Sequence, residues 1–423
     1  MIAQATVLDD LRAIVGDKHA YLPDDSPTFA VDGMNPKAIV EPRTYEEVGA
    51  VMRYASQAGL ATIASGGRTK PDIGNLPARY DLALSLSRLD QIIEYEPADL
   101  TVTCQAGISV PELQRRLRVH GQKVPLDERP GKQPSAGGML ATNSNGPSRH
   151  AFGELRDFTI GMRVVTADGR TTRAGGKVVK NVAGYDLCKL YIGSLGTLAV
   201  IVEATFKVMP VARIERTLAF RLRTSGNACS LAADLLRRGL ALSYLQLRGW
   251  NNGANDSWLL EIGLAGSEGP VARSENELAG MAADFKAEVA DGDAPVNAGA
   301  TDSGESKEAR GLLCRFSVLP SRLSAFIGGL QALEPPDMVA EPATGVLRAS
   351  WPNSAAALTL LERSREIAKS HSAACFVERC PPELKRRIDV FGDPPPAFEL
   401  MRRVKQQFDP NGILSPGRFV GRL

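Results

Sequence analysis

Two periods of apolar residues alternate along the chain. MIAQATVLDDLRAIVG places its apolar positions at helical intervals, which predicts an amphipathic helix over Met1–Gly16, followed by a Pro/Asp loop over Leu22–Pro27. Ala38–Glu41 reads as a short strand. Pro42-Arg43-Thr44 then sets up a helix over Tyr45–Ala58, with Thr44 as N-cap and Glu47 in the capping-box position. Leu60–Ala64 is the next strand, and Leu82–Leu86, Gln91–Glu96 and Leu100–Gln105 carry the short alternation of an antiparallel meander. Proline is tolerated in a first helical turn, so Pro111 places a helix start near Ser109 and a helix over Val110–His120. Phe158–Thr166 and Thr171–Ala174 flank Asp168-Gly169 as a hairpin. Asp186 is placed to cap a short helix through Ile192, and Leu198–Val208 reads as one long strand.

From Arg216 the order strand, helix, strand, strand, helix is written twice. The first round is Thr217–Arg223, Ser225–Arg238, Leu242–Arg248, Trp258–Leu264 and Pro270–Val289. The second is Leu313–Leu319, Ser321–Leu333, Val339–Glu341, Val346–Trp351 and Ser354–Ser370, with Ala373–Val377 as an added strand. Such a repeat predicts one antiparallel sheet with helices on one face. The Gly/Ala/Asp/Ser-rich stretch Asp291–Glu308 between the rounds reads as an exposed loop. Phe398–Phe408 is a last helix, stopped by Asp409-Pro410-Asn411-Gly412.

Periodicity fails at three glycine-rich turns, all in the first half. Ser65-Gly66-Gly67-Arg68-Thr69-Lys70 lets successive peptide N–H groups point to one side, which suits an anion or a plain strand-to-loop turn. Pro125–Gly153 reads as one long loop whose centre, from Ser135 to Gly146, offers small side chains, hydroxyls and amides. Gly193 and Gly196, with the small Ser194 and Thr197, leave backbone uncovered before the long strand. One glycine turn is weak evidence of a ligand. Three, with no Walker lysine and no G-x-G-x-x-G after a strand, point to an extended dinucleotide held by backbone.

Composition narrows the classes. At 423 residues the chain exceeds one ordinary core, so two domains and a terminal extension are expected. Fifty basic residues against 48 acidic ones leave a net charge of +2, which argues against a nucleic-acid footprint. Six scattered cysteines form no C-x-x-C pair, so no zinc knuckle or iron–sulfur cluster is encoded, and buried thiols in a reducing compartment are expected. The N-terminus lacks a signal-peptide apolar core and no stretch approaches a membrane span, which reads as a cytoplasmic protein, peripheral at a membrane only through partners. His150 and His371 read as structural histidines, and Arg386 and Arg387 as either a solvated basic turn or a contact for an acidic substrate.

The strings TVTCQAGISVPELQRRL from Thr101, GGMLATNSNGPSRHAFGELRDFTIGMRVVTADG from Gly137 and GGKVVKNVAGYDLCKLYIGSLGTLAVIVEATFKVMP from Gly175 resemble the FAD-binding domain of the p-cresol methylhydroxylase and vanillyl-alcohol oxidase class. Within that class they are most similar to FAD-binding subunits of glycolate oxidases. The resemblance is dense over Ile39–Pro210 and resumes at FDPNGILSPGRFVG near the C-terminus. It implies an α+β fold: an FAD-binding domain of two α/β subdomains over residues 1–212, a cap over 213–378 with an antiparallel sheet covered by helices, and a return segment over 379–423.

The resemblance also implies roles. Gly66, Gly67, Arg68 and Thr69 would take the pyrophosphate; Pro134, Ser135, Gly137, Gly138, Thr142, Asn143, Ser144 and Gly146 the ribityl and isoalloxazine side; Gly196, Thr197 and Ile201 the adenine and ribose side. The pyrophosphate turn carries Arg68 and no histidine, so the FAD is expected to be noncovalent. Related 2-hydroxy acid dehydrogenases carry a His-x-Gly-Asp-Gly-Asn-x-His motif that this chain lacks, so no metal is expected and the catalytic base stays unassigned. The implied activity is oxidation of glycolate to glyoxylate within a complex of a second FAD subunit and an iron–sulfur subunit. A free-standing lactate-like dehydrogenase and a non-catalytic FAD-containing assembly subunit are the alternatives.

Overall fold

The computed structural model describes residues 4–24, 27–127, 132–176, 185–250, 258–290 and 311–423. The expected loop over Asp291–Glu308, Lys177–Gly184 within the third glycine-rich region, and parts of the loops at Leu22–Pro27 and Pro125–Gly153 lie outside these residues. The chain divides into two compact units. Unit 1 is Met1–Asn145, Glu154–Val211 and Phe391–Leu423; unit 2 is Gly146–Gly153 and Ala212–Val390.

Unit 1 begins with α1 (Gln4–Val15) and contains two sheets. β1 (Ala20–Tyr21), β2 (Ala38–Val40), β3 (Thr62–Ser65) and β4 (Leu82–Ser85) form a four-stranded sheet ordered β1-β2-β4-β3. Here β4 runs parallel to β2 and β3, so Leu82–Ser85 does not belong to the expected antiparallel meander. All four of its residues are buried, as a strand covered on both faces must be. α2 (Tyr45–Ala58) has the expected bounds. Thr44 Oγ1 accepts the Glu47 N–H at 3.1 Å, and the Glu47 carboxylate accepts the Arg43 N–H at 2.6 Å.

β5 (Ile92–Glu96) and β6 (Thr101–Gln105) precede α3 (Val110–Arg118) and β7 (Gln122–Lys123). α4 (Ala136–Thr142), α5 (Arg149–Phe152) and α6 (Leu155–Phe158) follow, then β8 (Thr159–Val165), β9 (Thr171–Gly175), α7 (Leu187–Tyr191), β10 (Val200–Lys207) and β11 (Met209–Pro210). The five-stranded antiparallel sheet is ordered β5-β6-β10-β8-β9, and β7 pairs with β11. One buried core runs from Leu8 and Leu11 through Val48, Val51 and Met52 of α2 to Val164, Val202 and Phe206 of the second sheet. The expected unstructured loop after Pro125 is corrected by α4. Gly137 and Gly138 depress helix propensity, but the Ser135 hydroxyl caps the helix by accepting the Gly138 N–H at 3.2 Å.

Unit 2 is built on one antiparallel eight-stranded sheet. β12 (Ile214–Leu222), α8 (Ser225–Arg237), β13 (Leu242–Gly249), β14 (Trp258–Gly266), α9 (Glu268–Asp284) and β15 (Glu288–Val289) form its first half. β16 (Leu312–Ser317), α10 (Leu323–Gln331), β17 (Asp337–Glu341), β18 (Val346–Trp351), α11 (Ala357–Ser370), β19 (Ala374–Arg379) and α12 (Pro382–Arg387) form its second. The strand order is β15-β12-β14-β13-β17-β18-β16-β19. The helix expected to reach Val289 stops at Asp284. Lys286 turns left-handed with φ 51°, and Val289 then pairs with Phe220 as a strand. Phe316 of β16 packs on Phe326 of α10, which places α10 on the face opposite Arg315.

In unit 1 the C-terminal α13 (Phe398–Phe408) leads into a segment that pairs beside β3. The Thr62 N–H donates to the Ile413 carbonyl at 2.7 Å, and the Ser415 N–H to the Thr62 carbonyl at 2.9 Å.

Candidate functional site

Unit 1 brings its three glycine-rich turns together on α4. The turn Gly66-Gly67-Arg68-Thr69 leaves the end of β3 and lies against the residues that lead into α4. A Cβ at Gly66 would land on the Ser135 side chain, and one at Gly67 on the Gln133 carbonyl, so only glycine permits this approach. Behind α4, the Gly137 N–H donates to the Ala106 carbonyl at 2.8 Å and the Ala136 N–H to the Ile108 carbonyl at 3.0 Å. Pro134 accepts the Val110 N–H at 2.8 Å. The third turn closes from the other end: Gly193 N–H donates to Leu140 O and Leu195 N–H to Ala141 O, both at 2.9 Å.

Hydroxyls and one ammonium line the join. Thr142 Oγ1 donates to the Gly138 carbonyl at 2.8 Å and sits 2.6 Å from Ser144 Oγ. The Lys70 ammonium donates to that same Ser144 oxygen at 2.8 Å. Asn143 ends the helix in the left-handed region with φ 46°. Gly196 also has positive φ, Thr197 is buried with its hydroxyl on Ser194 O at 2.7 Å, and the Ile201 side chain lies in the core. The Arg68 guanidinium stacks over the Phe29 ring at 4.3 Å, so its backbone rather than its charge belongs to the turn. Gly146 falls in the segment assigned to unit 2. Ser65 Oγ, just before the turn, is buried with no hydrogen-bond partner among the described residues. A close-packed backbone cradle beside an unpaired buried hydroxyl fits a diphosphate-linked cofactor such as FAD.

Unit 2 holds a second constellation that the sequence reading did not identify. Strand register places Arg248, Val339, Arg348, Arg315 and Phe376 in one row across β13, β17, β18, β16 and β19, on the face opposite Phe316 and α10. From α5, which packs on β13, Arg149 Nε reaches Glu341 Oε2 at 2.9 Å. Arg348 bridges Glu341 at 3.3 Å and Glu378 at 3.2 Å, and Arg315 lies 3.7 Å from Glu378. Three guanidiniums thus share two carboxylates. Arg315 is the most open of the five, its side chain 34% exposed, and its guanidinium lies 5.1 Å over the Phe376 ring.

Burial pulls the Arg348 guanidinium down, but Glu378 and Glu341 outweigh it and hold its pKa above the ordinary value. At Arg315 burial wins, helped by Arg348 and Arg149, and its pKa falls below the ordinary value. The clue in sequence is a charge inside an otherwise apolar strand, as in LLCRFS and VLRASW. Arg386 and Arg387 are exposed at the end of α12, and His371 ends α11 with Nδ1 3.0 Å from Ile367 O. His150 is half-buried on α5, and burial holds its pKa below the usual histidine range; its ring finds no hydrogen-bond partner among the described residues.

The fold and cradle define an α+β flavoprotein with an FAD-binding domain of the p-cresol methylhydroxylase type. Residues 36–175 match the FAD binding domain family, and residues 393–419 match the C-terminal domain of FAD linked oxidases. These matches mark residues 36–175 as the FAD-binding domain of an FAD-dependent oxidoreductase. It is 27% identical to a D-lactate dehydrogenase of Archaeoglobus fulgidus, over 98% of this chain and 99% of that protein. Against glycolate oxidase subunit GlcE of Escherichia coli it is 29% identical, over 78% of this chain and 85% of that one. The match to a D-2-hydroxyglutarate dehydrogenase of Xanthomonas citri reaches 38% but spans 41% of this chain and 37% of the relative. The structure of p-cresol methylhydroxylase shares the fold, with a TM-score of 0.74 at 14% identity, over 98% of this chain and 96% of that one. No described helix is long and apolar enough to cross a membrane.

Proposed function

We propose that the chain oxidises a short 2-hydroxy acid, with glycolate to glyoxylate as the leading case, as the FAD-binding subunit of a complex that passes electrons to an iron–sulfur partner. The observation that carries the substrate class is the surplus of guanidinium over carboxylate at Arg149, Arg315 and Arg348. A buried surplus cation is costly alone and is offset by an anionic ligand. Arg315 holds the loosest of these ion pairs, so its planar donors are the ones best placed to take a substrate carboxylate. Bound FAD supplies two-electron acceptance from the carbon bearing the hydroxyl. The turns at Gly66, Ser135 and Gly196 hold that cofactor by backbone, in the noncovalent mode.

Likeness to a glycolate oxidase subunit over most of that subunit's length supports a role within a complex. The absence of any C-x-x-C pair from the sequence supports an iron–sulfur centre on another chain. The near full-length likeness to a D-lactate dehydrogenase favours a free-standing enzyme as the second reading. Purification alone and with candidate partners separates the two. Glycolate turnover only in the reconstituted complex is expected; full-rate oxidation by the solitary chain overturns the subunit reading. A cofactor-turn substitution that stops turnover but leaves the complex intact removes the assembly-only alternative.

Arg315→Met is expected to raise KM for the hydroxy acid by about 10- to 100-fold, the equivalent of losing hydrogen bonds to a charged group, with flavin content unchanged. Steady-state kinetics with a flavin absorbance ratio check this.

A further inference from the structure

The resemblance assigns cofactor roles as far as Thr69 and none to the next residue, Lys70. Folding carries the Lys70 ammonium across to the loop after α4, where Nζ donates to Ser144 Oγ at 2.8 Å. The direction of the hydrogen bonds beyond that point is fixed. Thr142 Oγ1 gives its proton to the Gly138 carbonyl at 2.8 Å, so in the 2.6 Å contact between the two hydroxyls Ser144 donates and Thr142 accepts. Lys70 therefore heads a one-way chain that runs through Ser144 and Thr142 to the Gly138 carbonyl.

That order decides what the join can bind. With both hydroxyl protons committed to the chain, Ser144 and Thr142 turn oxygen lone pairs, not donors, toward anything that approaches. An anion here is met by the ammonium and by peptide N–H groups. The site is also open enough to receive one. Ala141 to Asn145 are all half-buried, as is Lys70, so this rim is neither packed shut nor plain surface. Gly66 and Gly67 bring the first turn to within contact of Ser135 and the Gln133 carbonyl. Two other cations that border the cradle are engaged elsewhere: Arg68 lies over the Phe29 ring at 4.3 Å, and Arg156 Nη2 donates to the Ile192 carbonyl at 3.3 Å.

We infer that Lys70 pairs its charge with the diphosphate of FAD, the Ser144–Thr142–Gly138 chain holding the ammonium in place. The assignment rests on the FAD reading of the glycine cradle and adds to it a side chain. Peptide donors meet a diphosphate with partial charges, whereas a lysine makes one of those contacts charge-assisted and acts as a compact point charge. Lys70 thus favours a flavin that carries phosphates over one that has none.

Full-length protein stripped of flavin is titrated with FAD and with riboflavin, followed by flavin fluorescence. Lys70→Met is expected to weaken FAD binding by about 10- to 100-fold, as loss of a hydrogen bond to a charged group should, and to leave riboflavin unchanged. Lys70→Arg keeps the charge and should recover most of the FAD affinity. Release of FAD from the holoprotein is the second measurement. Raising salt about tenfold should speed release from wild type and do so much less in Lys70→Met, because a full charge pair is screened. Equal losses of FAD and riboflavin affinity make Lys70 a structural tie between turns and overturn the assignment. An unchanged FAD affinity overturns it too, as does a salt response that disappears in Lys132→Met instead. Gly67→Ala separates Lys70 from the cradle: flavin lost there but fully kept by Lys70→Met removes Lys70 alone, and flavin kept by both removes the cradle as well.

Discussion

At the scale of single residues, Gly67 is the position least able to change. The clash there is with a backbone carbonyl, which cannot rotate away as a side chain can. Gly67→Ala is therefore expected to yield colourless or weakly coloured protein, read as the ratio of visible flavin absorbance to protein absorbance. His150 supplies a pH prediction. Its folded-state pKa is lowered by burial, so the unfolded state binds the proton better, and stability declines as pH falls through about 6.5. Urea midpoints at acid and neutral pH should converge in His150→Gln if that sign is right. The glycines were legible in sequence because conformational freedom is a property of the residue itself. Arg315 and Arg348 were not, since a lone charge in a strand names no partner until register brings Glu341 and Glu378 beside it.

At the scale of elements, caps decided what could be read. Tyr45–Ala58, Phe398–Phe408 and Val346–Trp351 have the bounds the pattern gave them, because a cap or stop is written at an end of each helix and β18 keeps its buried alternation. α4 was hidden by its two glycines, and its stability rests on the Ser135 cap. Ser135→Ala should lower stability by about 1 kcal/mol and weaken FAD retention together, measured by thermal melts with and without added FAD. α13 ends in a buried ion pair: Lys405 Nζ donates to Asp409 Oδ2 at 2.5 Å, to Thr197 O at 2.8 Å and to Leu414 O at 2.9 Å. Asp409 also accepts the Ile413 and Leu414 N–H groups at 3.0 and 2.8 Å. Asp409→Ala leaves a buried ammonium without its counter-charge and should cost about 3–5 kcal/mol, read from denaturant unfolding. The parallel placement of β4 was beyond periodicity, since a fully buried strand carries no alternation to distinguish its neighbours.

At the scale of the molecule, the proposed cofactor cradle belongs to unit 1 and the guanidinium row to unit 2. Saturating FAD should thus stabilise the fold of unit 1 by about 2.7 kcal/mol at a hundredfold excess over Kd. Calorimetry of wild-type and Asp409→Ala proteins should assign both effects to the same transition. The repeat of strands and helices after Arg216 made the single antiparallel sheet legible; the three glycine turns pointed only to an extended dinucleotide, and FAD came from the resemblance carried by the longer strings. What sequence could not reveal was that Gly146–Gly153, lying between two parts of unit 1, is counted with the second unit.

That short excursion has a consequence for anyone dissecting the gene. The polypeptide passes from one unit to the other at 145/146, 153/154, 211/212 and 390/391, so neither lobe corresponds to an uninterrupted reading frame. A truncation after Val211 discards the tail that pairs beside Thr62 while keeping the octapeptide that carries Arg149, and so leaves each lobe missing a native piece. Modular swapping between relatives must respect all four joints, and the two lobes are inherited as a single interleaved object.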